Sequence, residues 1–277
     1  MPGLSRTPQS DPQDPAAKLR AAVLGSGSQG NCVVVESGED RILLDAGFSC
    51  RQLEKRLRRV GVRPDSLRAI VLTHEHTDHC CGAEVLARRH DLPIYGTRGT
   101  LEGCRFRDPR SLRLVPIAAG VRFAAAGFEV EAFAVPHDAR EPVGLVVEDS
   151  GSRRLALISD LGELLPPFAG CLRGVHVLVQ ETNHDVDMLR RGPYPWSLKQ
   201  RVASGHGHLS NQQAADGVAR LVGDELQWMV LYHLSRTNNL PALAADKIGE
   251  ELERMGSSAR LMVASQSEPS SWLEVST

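Results

Sequence analysis

Residues 73–79 read Thr-His-Glu-His-Thr-Asp-His, directly after the apolar run at 69–72. Four metal-capable side chains, His74, His76, Asp78 and His79, fall within six residues. A buried strand running into this spacing predicts a loop of nitrogen and oxygen ligands at the strand's C-terminal end. The same segment is expected to turn into a helix from Cys80 to about His90. Histidine and carboxylate donors suit Zn, Mn or Fe, whereas a structural zinc site draws on cysteine. Solvated loop histidines are the plain alternative. Three of the chain's ten histidines packed beside one aspartate argue against it.

One segment cannot complete two metal shells, so further ligands must come from a distance. Candidates stand at other expected strand ends: His137 after 128–135, Asp160 after 154–159 and His233 after 227–232. This ligand plan resembles that of the metallo-β-lactamase fold. The resemblance implies that His74, His76 and His137 hold one metal and that Asp78, His79 and His233 hold the other. Asp160 would bridge the two ions, with Mn or Zn as the expected cofactors.

Length and composition set outer limits. A chain of 277 residues can bury a substantial core. No apolar run approaches the length of about 18 residues expected of a membrane span. The N-terminal stretch lacks an apolar signal-peptide region, and none of the six cysteines is paired at CxxC spacing. Reduced thiols and a cytoplasmic location are therefore expected. A net charge of −2 gives no global argument for nucleic-acid binding. Residues 1–17 carry four prolines and almost no large apolar groups, and read as a disordered tail. The folded domain is expected over 19–277, with a strand at 19–24 first.

The stretch 25–30, Gly-Ser-Gly-Ser-Gln-Gly, matches a dinucleotide-binding fingerprint. That reading requires a following helix, but β-branched residues at 32–36 and the apolar run at 41–47 predict two more strands. What remains is a glycine turn, either an ordinary tight turn or an anion-binding nest of N–H groups. Asp45 ends a strand as Asp160 does; by the fold's usual pattern it orients a ligand rather than binding metal. Leu53, Leu57 and Val60 recur at helical spacing, and Gly61 follows as a stop. Further strands are expected at 92–95, 128–135 and 175–179, with a hairpin formed by 143–148 and 154–159. Residues 97–113 carry no clear pattern. About a dozen short strands with four or five helices fit an α/β fold, the αββα sandwich. Only 73 residues separate Asp160 from His233. That leaves room for a strand, loops and one helix, but not for a β-CASP insertion.

A second constellation follows. Glu181 leaves the strand that begins near Val175, and His208 precedes Ser210 and Gln213, an S-x-x-Q capping box that predicts a helix to about Val222. His208 thus stands just before a helix N-terminus, where the dipole favours anions. The ordered set GSGSQGN, THEHTDH, HDAREPVG, SDLG, ETNHD, YPWSLKQR, GHLSN and HLSRTNN is similar to the YycJ/WalJ family of metallo-β-lactamase-fold proteins. The similarity spans about 20–245 and implies a 5′-to-3′ exonuclease acting on DNA. The placement of Glu181 and His208 also resembles tRNase Z, implying that Glu181 orients His208 and that His208 is the general acid. His184 and His206 gain no catalytic role from this logic.

These resemblances imply a dinuclear phosphodiesterase using a metal-bound hydroxide held by Asp78 and Asp160. Ser235, Arg236, Asn238 and Asn239 after His233, with Ser26, Ser28 and Asn31 of the glycine turn, are expected to meet substrate phosphate. A ribonuclease is one alternative, although the long arm that grips tRNA has no counterpart. A small ester or thioester hydrolase and a non-catalytic signalling module are the others.

Overall fold

In the computed structural model, residues 18–276 are described; the expected N-terminal tail at 1–17 lies outside them. Fourteen strands and nine α-helices are found among the described residues, more helix than the sequence suggests. Two seven-stranded sheets face each other. The first runs β14 (Leu273–Glu274), β1 (Leu19–Gly25), β2 (Cys32–Ser37), β3 (Asp40–Leu44), β4 (Ala69–Val71), β5 (Pro93–Thr97), β6 (Arg113–Ile117). The second runs β13 (Arg260–Val263), β12 (Trp228–Tyr232), β11 (Val177–Glu181), β10 (Arg154–Ile158), β9 (Val143–Glu148), β8 (Phe128–Ala134), β7 (Arg122–Ala125). Each sheet changes character part-way: β1 to β3 pair antiparallel and β3 to β6 parallel. Likewise β7 to β10 pair antiparallel and β10 to β13 parallel.

Three apolar layers hold this arrangement. Alternate residues of both sheets, among them Val23, Val33, Val35, Leu145, Leu157, Val179 and Val230, interdigitate between the sheets. The other face of the first sheet is covered by α1 (Cys50–Arg59) and α3 (Ala83–His90) through Leu53, Leu57 and Leu86. On the second sheet's outer face lie α5 (Phe168–Leu172), α8 (Asn211–Leu221) and α9 (Pro241–Arg254). Strands buried on both faces read as continuous apolar runs, as expected of the parallel portions. The result is the αββα sandwich.

The helix expected after the histidine stretch is two helices, α2 (Thr77–Cys80) and α3, broken at Cys81 and Gly82. A Cβ on Gly82 would lie 2.0 Å from the Phe48 carbonyl oxygen, so only glycine admits the crossing backbone. The unpatterned stretch 97–113 contains α4 (Arg98–Gly103), a 3₁₀ turn and the start of β6. Between Asp160 and His233 lie two strands instead of one, β11 and β12, and four helices instead of one: α5, α6 (Val186–Arg191), α7 (Trp196–Val202) and α8. No β-CASP-sized domain is inserted there. The capping box on α8 is formed by Ser210 and Gln213 as expected. No helix is long and apolar enough to cross a membrane among the described residues.

Candidate metal centre

The parallel portions of the two sheets end at one rim, and this rim collects the polar residues. Asp45 follows β3, the histidine stretch follows β4, and His137 follows β8. Asp160 follows β10, Glu181 closes β11 and His233 follows β12. Sites at the carboxyl ends of strands are the rule in open α/β sheets. Asp45, Asp160 and His233 each take a left-handed backbone, with φ of 60°, 55° and 55°. Aspartate and histidine accept that region better than most side chains, and such bends concentrate at functional sites. Asp78 and His79 belong to the single turn of α2. A Cβ on Gly47 would sit 1.7 Å from the Asp78 carbonyl oxygen, and the Asn31 N–H donates to that oxygen at 2.8 Å.

The imidazoles of His74, His79, His137 and His233 are held at Nδ1, which leaves Nε2 as their free nitrogen. His79 Nδ1 bonds Asp45 at 2.8 Å. His74 Nδ1 meets the Thr73 hydroxyl at 3.0 Å, and that hydroxyl donates to Asp45. His137 Nδ1 faces the Gly207 carbonyl at 3.3 Å, and His233 Nδ1 faces Glu181 at 3.0 Å. Anchoring one ring nitrogen fixes which one is free to ligate. On the open side, His79 Nε2 is 3.0 Å from Asp160, and His233 Nε2 is 3.4 Å from Asp78. His137 Nε2 is 3.3 Å from His76 Nδ1.

Donor atoms of His74, His76 and His137 lie within 4.8 Å of one another, as do those of Asp78, His79 and His233. Asp160 approaches both groups, contacting His79 at 3.0 Å and His137 at 3.9 Å. The Nε2 of buried His74 has no hydrogen-bond partner. An unpaired buried nitrogen costs free energy unless something binds it, and a divalent cation would satisfy it. All-imidazole and carboxylate donors fit such an ion.

The two donor groups differ electrically. Burial and neighbouring imidazoles push His74 well below the usual histidine range, and burial lowers His137. Both rings are neutral and ready to ligate. His79 and His233 would also be lowered by burial, but Asp160 and other carboxylates win. His79 is raised well above its ordinary value and His233 to about 10. Asp160, which burial alone would raise, is held well below the usual carboxylate range by His233 and His79. Glu181 is wholly buried, yet His208 holds its carboxyl down at about 2. It accepts from His208 Nδ1 at 2.7 Å and from the Leu161 and Leu209 N–H groups at 3.2 and 3.1 Å. Burial would lower His208, but Glu181 raises it. Its Nδ1 also stands 3.7 Å from Asp160.

The expected substrate loops have mixed surroundings. The Ser26 hydroxyl accepts from the His233 N–H at 2.6 Å, so it fixes a ligand's backbone. The N–H groups of Ser26, Gly27, Gln29 and Gly30 are all paired within the protein, which removes most of an anion nest. The Asn31 amide reaches Asp78 Oδ2 at 3.3 Å and His79 Nε2 at 3.1 Å. Asn239 is buried and bonded to the 182–183 backbone and to Asn211. Asn238 is also buried, and the Ser235 hydroxyl accepts from its N–H at 3.1 Å. Ser28 and Arg236 are exposed. Two residues not singled out from sequence belong to the scaffold: Thr73, which links His74 to Asp45, and Asn183, whose amide donates to the His233 carbonyl at 2.8 Å. Both sit in motifs quoted above, so only their roles went unread. His206 is exposed, and His184 is buried beside the site.

The chain is similar to several known proteins. A family model described as a beta-lactamase superfamily domain matches residues 40–234. The exodeoxyribonuclease YycJ of Bacillus anthracis is 38% identical over 241 residues, covering 86% of this chain and 90% of its own. The exodeoxyribonuclease WalJ of Streptococcus pneumoniae is 34% identical over 233 residues, covering 82% and 85%. The crystal structure of the metallo-beta-lactamase fold protein YhfI from Bacillus subtilis superposes with a TM-score of 0.71 at 19% identity, covering 93% and 99%.

Proposed function

Because this chain belongs to the beta-lactamase superfamily and, within it, to the family of YycJ and WalJ, we propose that it is a hydrolase removing nucleotides from the 5′ end of DNA. The observation that carries this reading is the Glu181–His208 pair beside the two donor groups. A sugar oxygen expelled from phosphorus leaves as an alkoxide unless a proton reaches it, whereas a thioester's thiolate needs no such donor. Here a histidine kept protonated to higher pH by a buried carboxylate stands 3.7 Å from Asp160, with its side chain partly exposed.

His74, His76 and His137 would hold one divalent ion, and Asp78, His79 and His233 the other, with Asp160 between them; Mn and Zn both suit the donors. Two such ions supply positive charge for the attacking and leaving oxygens of an in-line displacement and lower the pKa of water. The chain's own residues do the rest. Carboxylate oxygens of Asp78 and Asp160 accept hydrogen bonds from the attacking water and so aim it. Glu181 holds the Nδ1–H of His208, which leaves Nε2–H directed at the departing sugar oxygen. Transfer of that proton lets the P–O bond break without releasing an alkoxide. Arg236 and Ser28, both exposed, supply the charge and hydroxyl for a terminal phosphate.

The test incubates purified protein with Mn or Zn and end-labelled DNA, the matching RNA and a cyclic dinucleotide. Stepwise release of mononucleotides from the 5′ end of DNA is expected. Faster turnover of RNA or of the cyclic dinucleotide would replace this reading.

A further inference from the structure

Beside the donor cluster, α6 and α7 enclose a cleft of about 520 Å³ that the mechanism above does not use. Its floor includes Leu189 and the buried His184 ring, and its walls include Val186 and Trp196. Trp196 is 70% exposed and Val186 55%, although both stand on short helices where burial would favour them. Large apolar side chains left bare around one cleft mark a binding surface rather than scatter.

Charge and position indicate what occupies it. Segment 186–201 carries four basic side chains, Arg190, Arg191, Lys199 and Arg201, against the single acid Asp187, in a chain whose net charge is −2. Arg190 pairs with Asp187 at 2.9 Å and Arg201 with Asp138 at 2.7 Å, both at exposed positions. Arg190 and Lys199 line the cleft itself. Lys199 donates to the Arg190 carbonyl at 2.7 Å, tying α7 to α6. The cleft is also continuous with the catalytic elements. The segment leaving Glu181 pairs with the segment leaving His208: Asn183 N–H donates to Leu209 O at 3.0 Å and Asn211 N–H to His184 O at 2.8 Å. His184 is three residues beyond Glu181, and Ser210 is two beyond His208; both line the cleft. A second copy of this chain would have to match that basic rim. A polyanion with flat apolar bases matches it directly.

We propose that this cleft is a base-binding subsite. An unpaired nucleobase of the strand held at the donor cluster stacks on Trp196, while Arg190 and Lys199 face its phosphates. The proposal rests on the DNA reading above. Aromatic platforms edged by basic side chains bind single strands with little sequence preference, because every base has a stacking face. The enzyme therefore engages the single-stranded form near the scissile bond, and the sequence of that strand matters little.

The test uses the metal-loaded full chain and 5′-phosphorylated oligonucleotides carrying one abasic residue at the second, third or fourth nucleotide from the attacked end. First, hydrolysis of the intact oligonucleotide checks the DNA reading by itself. If that fails, the reading fails, and with it this subsite. If it succeeds, an abasic residue at one position is expected to lower wild-type kcat/KM by about 5- to 150-fold, the range for one stacked base. The penalty should appear mainly in KM. In Trp196→Ala it should vanish, and in Trp196→Phe it should largely return. Trp196 is exposed, so an unchanged melting temperature is expected for both variants. No abasic penalty at any position in the wild type, or a penalty that persists in Trp196→Ala, would overturn the subsite even though DNA is degraded. Concentration-dependent dimerisation abolished by Trp196→Ala, together with no abasic penalty, would assign the cleft to a second copy instead.

Discussion

His208 Nδ1 lies 2.7 Å from Glu181 Oε1, and this contact decides which ring nitrogen can face a substrate. Glu181 reaches His233 Nδ1 with the same oxygen at 3.0 Å. One buried carboxylate thus orients both the proposed proton donor, His208, and a proposed metal ligand, His233.

His208→Ala is expected to keep the metal content of the wild type while losing about 10²- to 10⁴-fold in kcat on DNA. A nitrophenyl phosphodiester, whose leaving group needs little protonation, should suffer far less. Elemental analysis and rates on both substrates check this, and equal losses on the two would remove the proton-donor role.

The same pair sets an alkaline limit. Glu181 raises the pKa of His208, so the ring keeps its proton to a higher pH than an ordinary histidine. Activity that needs this proton is present below the raised value and declines as pH climbs through it. In Glu181→Gln the carboxylate charge is gone, and the alkaline limb of kcat should move to lower pH. A limb that stays in place in the variant would mean another group sets it.

The two donor groups should fill with different pH dependence. His74 and His137 are depressed and already neutral near pH 7, whereas His233, raised to about 10, is protonated until a cation displaces the proton. One ion is therefore expected to bind almost independently of pH above neutrality, and the second to tighten steadily from pH 6.5 to 8.5. Calorimetric titration with Zn should resolve two steps that draw together as pH rises, reaching about two ions per chain. Saturation at one ion would dismiss the role of Asp160 between two sites.

Arg236 is exposed directly after Ser235, in the loop that leaves His233. Arg236→Ala is expected to erase most of any preference for 5′-phosphorylated over 5′-hydroxyl DNA, with less change on the hydroxyl substrate. Ser26 makes a poor companion in this experiment. Its hydroxyl holds the His233 N–H, so Ser26→Ala should disturb metal binding as well. Competition rates with paired oligonucleotides decide the matter.

Much of this was legible in the chain itself, for identifiable reasons. The strand before His74 is apolar on both faces, and ligands spaced two and four residues apart at its end leave few folds to choose from. The α8 capping box is visible because side chain and backbone solve one local problem together. The helices α6 and α7 were not, because they are six and seven residues long and lack an apolar period. They are tied to each other by Lys199, which donates to the Arg190 carbonyl. Sequence alone leaves the glycine turn undecided between tight turn and anion nest because two of its closing partners, Ser265 and Gln266, come from the far end of the chain. Thr73 and Asn183 went unread because hydrogen bonding to a ligand from behind leaves no mark on spacing.

The left-handed bends at Asp45, Asp160 and His233 restrict how this centre can be re-engineered. Side chains that combine a donor atom with ready acceptance of that backbone are few, chiefly aspartate, asparagine and histidine. A designer wishing to change the donor set would reach for glutamate at 160 or cysteine at 233, which are reasonable ligands on chemical grounds alone. Either swap would also ask the peptide chain to hold a conformation the new residue resists. Retuning by asparagine or by exchange between aspartate and histidine leaves the rim in shape, so the alphabet of ligands open at these corners is narrower than coordination chemistry alone would allow.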